Sequence, residues 1–149
     1  MSKKLKILHT MTWLARGGGV QNNVFLTIYH LQDEFEFHFA VGKEIQYNEF
    51  KNIENLKFFV CKDLLPTISP IRDLKSLFFF YKLIKQHKYD IVHTHNAKAS
   101  LITRIAAWLA GCKFIIYGLH GVTFNDPLSK LRRLFYLLVE KGTIWVSDM

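Results

Sequence analysis

Three stretches of this 149-residue sequence carry residue types and spacings that suit chemistry. Arg16-Gly17-Gly18-Gly19 precedes an amphipathic segment, His93-Thr94-His95-Asn96 closes one apolar run, and His120-Gly121 follows another. Successive glycines allow φ > 0 and leave room for another group to approach the main chain. At a helix N-terminus, unpaired N–H groups and the macrodipole favour an anion by about 0.3–1 kcal/mol when exposed. The glycine turn is therefore a candidate phosphate cradle, although tight turns that bind nothing also need glycine. His93 and His95, two apart on a strand, share a face. Such a pair can ligate zinc, but a site needs a third or fourth ligand, and His120 has no matched acid or cysteine beside it. The pattern favours one histidine packed in a sheet and the other, with Asn96, lining a rim. His120, between Leu119 and Gly121, can exchange hydrogen bonds near neutral pH.

The elements that must position these residues alternate. Leu5–His9 reads as a strand, and a helix from Val20 places Val20, Val24, Ile28 and Leu31 on one face. Phe35, Phe37, Phe39 and Val41 share the face of a second strand. A polar loop from Gly42 to Asn55, with one helical turn around 48–51, leads to a third strand over 56–61. Pro66 and Pro70 punctuate a linker before a helix that runs from Ile71 to His87. Leu74, Leu77, Phe78, Tyr81 and Ile84 form its expected buried face, and Phe79, Phe80 and Leu83 add apolar surface. This predicts a helix buried on two sides. The competing reading is a surface meeting a membrane or second domain, flanked by Lys75, Lys82 and Lys85.

A fourth strand is expected over 89–95. The helix after it should turn Leu101, Ile102, Ile105, Ala106 and Leu109 inward and Lys98 and Arg104 outward, ending at a left-handed Gly111. A fifth strand over 113–117, a helix from Pro127 to Lys141 and a sixth strand over 143–147 complete the pattern. Alternating strands and helices predict an α/β fold, a Rossmann-like open parallel sheet with helices on both faces. Ligands in such folds gather at the carboxyl ends of the strands, near a switch in strand order. The three chemical stretches all fall at such ends.

Composition narrows the function classes. An apolar content of 50% with 15% aromatics excludes a disordered chain, and 149 residues make one domain with a sizeable core. No apolar run reaches the roughly 18 residues of a membrane span, and His9, Thr10 and Thr12 interrupt any signal-peptide run, so a cytoplasmic protein is expected. Cys61 and Cys112 lack metal-motif spacing and are expected to be reduced, in or near the core. The net charge of +8 points to an anionic partner. Lys130, Arg132 and Arg133, interleaved with Leu128, Leu131, Leu134 and Phe135, form either a solvated helix face or a contact for anionic lipid. No nucleic-acid reading motif is present, and the aromatics follow core periodicity. A P-loop is absent, and a dinucleotide fingerprint would have Asn22 where its third glycine belongs, which leaves the oxidoreductase reading weak.

Taken in order, Leu5–His9, Gly17-Gly18-Gly19-Val20-Gln21, Tyr89-Asp90-Ile91-Val92-His93-Thr94-His95-Asn96, Ala106-Ala107 and His120-Gly121 resemble the N-terminal half of family 4 glycosyltransferases. These are retaining enzymes of the two-domain GT-B fold. The resemblance implies an acceptor-binding domain whose Gly17, Gly18 and Gly19 meet the diphosphate of a nucleotide-sugar donor. His120 would lie beside the transferred sugar as the catalytic residue, with His95 and Asn96 on the acceptor side. It further implies no cofactor and no metal, a glycan or lipid-linked acceptor, and work at the inner membrane face. The family's C-terminal donor-binding half, with its paired glutamates, is not in these residues. The chain alone is expected to be inactive, as an incomplete domain needing a C-terminal domain or partner subunit. The alternative is a docking module without catalysis, contacting a membrane or partner through Lys130, Arg132 and Arg133.

Overall fold

The computed structural model describes residues 3–14, 18–42, 48–118, 141–142 and 144–146. Strands β1 (Leu5–Met11), β2 (Phe35–Val41), β3 (Lys57–Val60), β4 (Ile91–His95) and β5 (Phe114–Gly118) alternate with helices α1 (Gly19–Leu31), α2 (Pro70–His87) and α3 (Ala97–Ala110). The strands form one parallel sheet in the order β3-β2-β1-β4-β5. The order reverses between β1 and β4, and that is the switch point of the doubly wound class.

Alternation along the strands divides the core in two. Ile7, Met11, Phe37, Phe39 and Val41 pack on α1 through Val24 and Ile28. On the other face, Leu8, Ala40, Val92 and Ile115 meet Phe80, Leu83 and Ile84 of α2 and the small residues Ala99, Ala106, Ala107 and Ala110 of α3. Small side chains let α3 lie close to α2, where Ser76 is also fully buried. Gly111 ends α3 with φ 71°, as its position predicts.

Several expectations change. The loop before β3 has the expected helical turn, at Asn48–Asn52, but Phe50 and Ile53 plug the α1-side core, Phe50 against Phe25, Phe39 and Phe58. On α2 the buried face is Ser76, Phe80, Leu83 and Ile84, while Leu74 and Phe78 are exposed, because only one side of this helix meets the sheet and α3. On α3, Leu109 is exposed and Arg104 is buried, its guanidinium 4.2 Å from the centre of the Tyr117 ring. Lys98 turns onto Asp73 of α2 at 2.6 Å. Residues Ile144–Val146 form a short 3-10 helix instead of a sixth strand. Cys61 and Cys112 are free thiols, both pushed upward in pKa by burial. Of the helix expected over 127–141, all but Lys141 lies outside the described residues, as do Lys130, Arg132 and Arg133.

Gly42 sits where β2 passes the end of β1, and its N–H donates to the Thr12 carbonyl at 3.1 Å. A Cβ there would stand 2.0 Å from the Leu64 carbonyl oxygen and 2.5 Å from that of Thr12. Both neighbours are backbone and cannot swing away. Gly42→Ala is therefore expected to destabilise the fold by about 2 kcal/mol or more, at the upper end of overpacking. Urea unfolding of the variant checks this.

Candidate functional site

The carboxyl ends of β1 and β4 lie side by side, with His9 opposite His93 and Thr10 opposite Thr94. From these ends the chain departs to opposite faces, into α1 after β1 and into α3 after β4. Both helix N-termini therefore open onto the same rim. Gly18 caps α1 and Asn96 caps α3, neither with a side-chain hydrogen bond to its own helix, and neither first turn contains an acid. The N–H groups of both first turns keep their capacity for an anion.

The two glycines described at the first turn are used differently from expectation. Gly18 has φ −90°, an ordinary extended conformation, so it does not need glycine for its backbone. A Cβ there would stand 1.8 Å from Oε1 of the Gln21 side chain, so that side chain would have to swing aside for any larger residue. Around Gly19 a Cβ would meet nothing within 4 Å among the described residues, so the backbone there is open to approach from their side. Gly17 lies outside the described residues, and so does His120.

Asn96 ties the two ends together. Its Oδ1 accepts from the Thr12 N–H at 3.2 Å, and its carbonyl accepts the first α3 bond, from Ser100 at 2.9 Å. To do both it adopts φ 65°, ψ 138°, a region that costs a non-glycine residue about 1–3 kcal/mol. Strain of this kind persists where the surroundings over-determine it, and functional rims are a common setting.

Behind Asn96 lies a stack of histidines. His9 is buried in β1, with its ring centre 5.3 Å from that of His95 and 5.0 Å from that of His93. His9 Nδ1 and His95 Nε2 are 3.0 Å apart and share one hydrogen bond. His95 is therefore a buried partner of His9, and the half-buried member of the His-x-His pair is His93. Sequence reasoning overlooked His9, because its place beside His95 depends on the β1–β4 register. One nitrogen from each of the three rings lies within 4.8 Å of the others, a donor set of the kind zinc takes. The proton between His9 and His95 occupies one of the lone pairs, so a metal could bind only by displacing it.

Burial holds His9 far below the usual imidazole range, to about 3, with the neighbouring His93 adding to the effect. A third buried histidine, His38 of β2, lies 2.7 Å from the Tyr89 hydroxyl and 3.2 Å from Glu36. Burial lowers it to about 4.

An open parallel sheet whose order reverses between β1 and β4, with two helix N-termini at that point, defines the doubly wound, Rossmann-like class of α/β domains. The chain belongs to Glycosyltransferase Family 4, whose model matches residues 17–146. It is 41% identical over 87 residues to the Escherichia coli UDP-Gal:alpha-D-GlcNAc-diphosphoundecaprenol alpha-1,3-galactosyltransferase, covering 58% of this chain and 22% of that protein. Its fold is similar to that of Anabaena HepE in complex with UDP and glucose, with TM-score 0.65 and 15% identity over 93% of this chain and 36% of that one. It is equally similar to a UDP-N-acetylglucosamine 2-epimerase, TM-score 0.65 and 15% identity over 99% of this chain and 41% of that one. The chain thus spans between about a fifth and two fifths of these relatives' lengths. The sheet is that of GT-B glycosyltransferases.

The neutral histidines give the fold a pH dependence. Their folded pKa values lie below the ordinary 6.5, so the unfolded chain takes up protons first as pH falls. Stability is full above about pH 6.5 and is lost progressively towards pH 4 and below. His9→Phe, which keeps a ring in the stack, should make the fall in Tm between pH 6.5 and 4 shallower than in the parent chain. Thermal melts across that range would show an unchanged slope if His9 did not titrate in this way.

Proposed function

We propose that this chain is the acceptor-side, N-terminal part of a retaining glycosyltransferase that moves a sugar from a nucleotide-sugar to a glycan or lipid-linked acceptor. The observation that carries the reading is the family match over residues 17–146, which spans the glycine turn, the β4 rim and His120. The rim geometry supports it: the open backbone at Gly19 and the first turn of α1 suit a donor diphosphate, with Gly17 and Gly18 beside it. In this reading Asn96 lies at the acceptor side of the cleft, His95 holds the β4 end behind it, and His120 stands by the transferred sugar. Helix N-termini and basic side chains stabilise the leaving diphosphate, so no metal or cofactor is assigned. The E. coli relative, named for a UDP-galactose donor and a diphosphoundecaprenol-linked acceptor, supports a lipid-diphosphate acceptor and work at a membrane surface.

Charge developing on the donor would be stabilised from one side only by this domain. Turnover is therefore proposed to require a C-terminal donor-binding domain, in the same polypeptide or in a partner subunit. Among the described residues no helix is long and apolar enough to cross a membrane.

The test is transfer from UDP-sugars by the complete enzyme. Gly19→Val should fold normally, since a Cβ there meets nothing within 4 Å among the described residues, yet lower kcat/KM at least about tenfold by blocking approach to the helix N-terminus. His120→Ala should lower kcat severely, and a chelator should leave the rate unchanged. Full activity in Gly19→Val together with full activity in His120→Ala would overturn the reading.

A further inference from the structure

Three imidazoles occupy a layer of the sheet that packing alone would fill with apolar side chains. On β1, His9 alternates with Ile7 and Met11, and on β4, His93 and His95 share their face with Ile91. Ile7, Met11 and Ile91 all belong to the α1-side core. His9 and His95 are 2% and 1% exposed. The hydrogen bond between them uses His9 Nδ1 and leaves His9 Nε2 buried, with no partner among the described residues. Whichever tautomer His9 takes, one of its ring nitrogens stays unsatisfied. A phenyl ring, as at the neighbouring Phe37 and Phe39, would carry no such cost.

The rings converge as ligands do. One nitrogen from each lies within 4.8 Å of the others, and among the described residues no other three histidine, cysteine or acidic side chains converge in this way. The ring centres of His93 and His95 are 4.2 Å apart, and that of His9 lies 5.0 and 5.3 Å from them. Zinc–imidazole bonds of about 2.0–2.1 Å at tetrahedral angles hold ligand nitrogens about 3.3 Å apart. His9 Nδ1 and His95 Nε2, at 3.0 Å, need open by only a few tenths of an ångström. Separations up to 4.8 Å close by about 1.5 Å when a ring turns about its side-chain bonds. His93 is half-buried, so the cluster is reached from solvent on its side.

We infer that His9, His93 and His95 form a binding site for a divalent transition metal of the zinc class, which clasps β1 to β4 behind Asn96. Three neutral imidazoles bind the ion, and water takes the fourth position. The proton now shared by His9 and His95 moves to the other ring nitrogen of whichever histidine donates it, so both rings stay neutral as they coordinate. The ligand that His93 and His95 lack in the sequence is thus His9, brought by the β1–β4 register, and not His120. The site asks nothing of sugar transfer: the donor diphosphate is proposed to lie at the first turn of α1, where no metal is assigned.

The test uses the full chain, free of any affinity tag and near neutral pH, with zinc and cobalt(II) as probes. Zinc at about a hundred times its Kd should raise Tm by about 5–10 °C. Cobalt(II) should give the visible absorption of a four-coordinate site, and zinc should then abolish it. His93→Ala, at the half-buried position, and His9→Phe, which keeps a ring in the stack, should each weaken zinc binding at least about tenfold. His87→Gln, from the separate group around His38, should leave it unchanged. Absence of zinc and cobalt(II) binding overturns the inference, and so does the weak absorption of octahedral cobalt(II), as scattered surface histidines give. Loss of binding in His87→Gln with unchanged binding in His93→Ala would place the metal at the His38 group instead. Should His9→Phe fold poorly, His93→Ala decides alone, and an unchanged zinc affinity there overturns the site. No readout depends on sugar transfer, so failure here leaves the transferase reading standing.

Discussion

Parallel pairing of β1 with β4 is the interaction on which the rest of this structure depends. It sets His9 opposite His93, makes the two strands end together, and sends α1 and α3 to opposite faces of the sheet. Two helix N-termini then share one rim because neighbouring strands finish level with each other. The hydrogen bond from the Thr12 N–H to Asn96 fastens that arrangement just past the last paired residues. Without this pairing the glycine turn and the β4 end would be unrelated segments.

The same pairing forces polar rings into the interior. Three histidines meet on the α1 side, and the protein tolerates them by keeping His9 neutral and bonding it to His95. The rings of Phe37 and Phe39 border His9, at centroid distances of 5.6 and 6.2 Å. This apolar border raises the cost of charging His9 and fixes the orientation of its ring. The β4 end is thus held from behind by packing and from above by Asn96.

Much of this was legible in the sequence, for physical reasons that differ by residue. Period-two runs such as Phe35–Val41 have one buried solution, and strand–helix alternation leaves few topologies besides an open parallel sheet. Gly111 could be placed because a left-handed cap has few alternatives to glycine. What was hidden depended on neighbours distant in sequence. Arg104 looked like an outward charge, and only the ring of Tyr117 on β5 shows why burial suits it. Leu74 and Phe78 looked buried because apolar residues surround α2 in the sequence on every side, and the face that wins is decided by α3. Phe50 was lost in a polar loop, where no periodicity marks a lone core plug. At the candidate site, the glycine turn and Asn96 could be singled out from local chemistry, whereas the partnership of His9 with His95 required the strand register.

The bond from Thr12 to Asn96 spans 84 residues, and the one between His9 and His95 spans 86. Neither can form until β2, β3 and α2, which lie between them in the chain, have been made. Closing so long a loop defers its entropic reward, so contacts of this range tend to form late in folding. During synthesis β1 can pair with β2 well before β4 leaves the ribosome, leaving its other edge uncovered meanwhile. The rim that joins the two helix N-termini is therefore among the last parts of the described fold to come together, and a nascent chain stopped short of β4 carries β1 paired on one edge only.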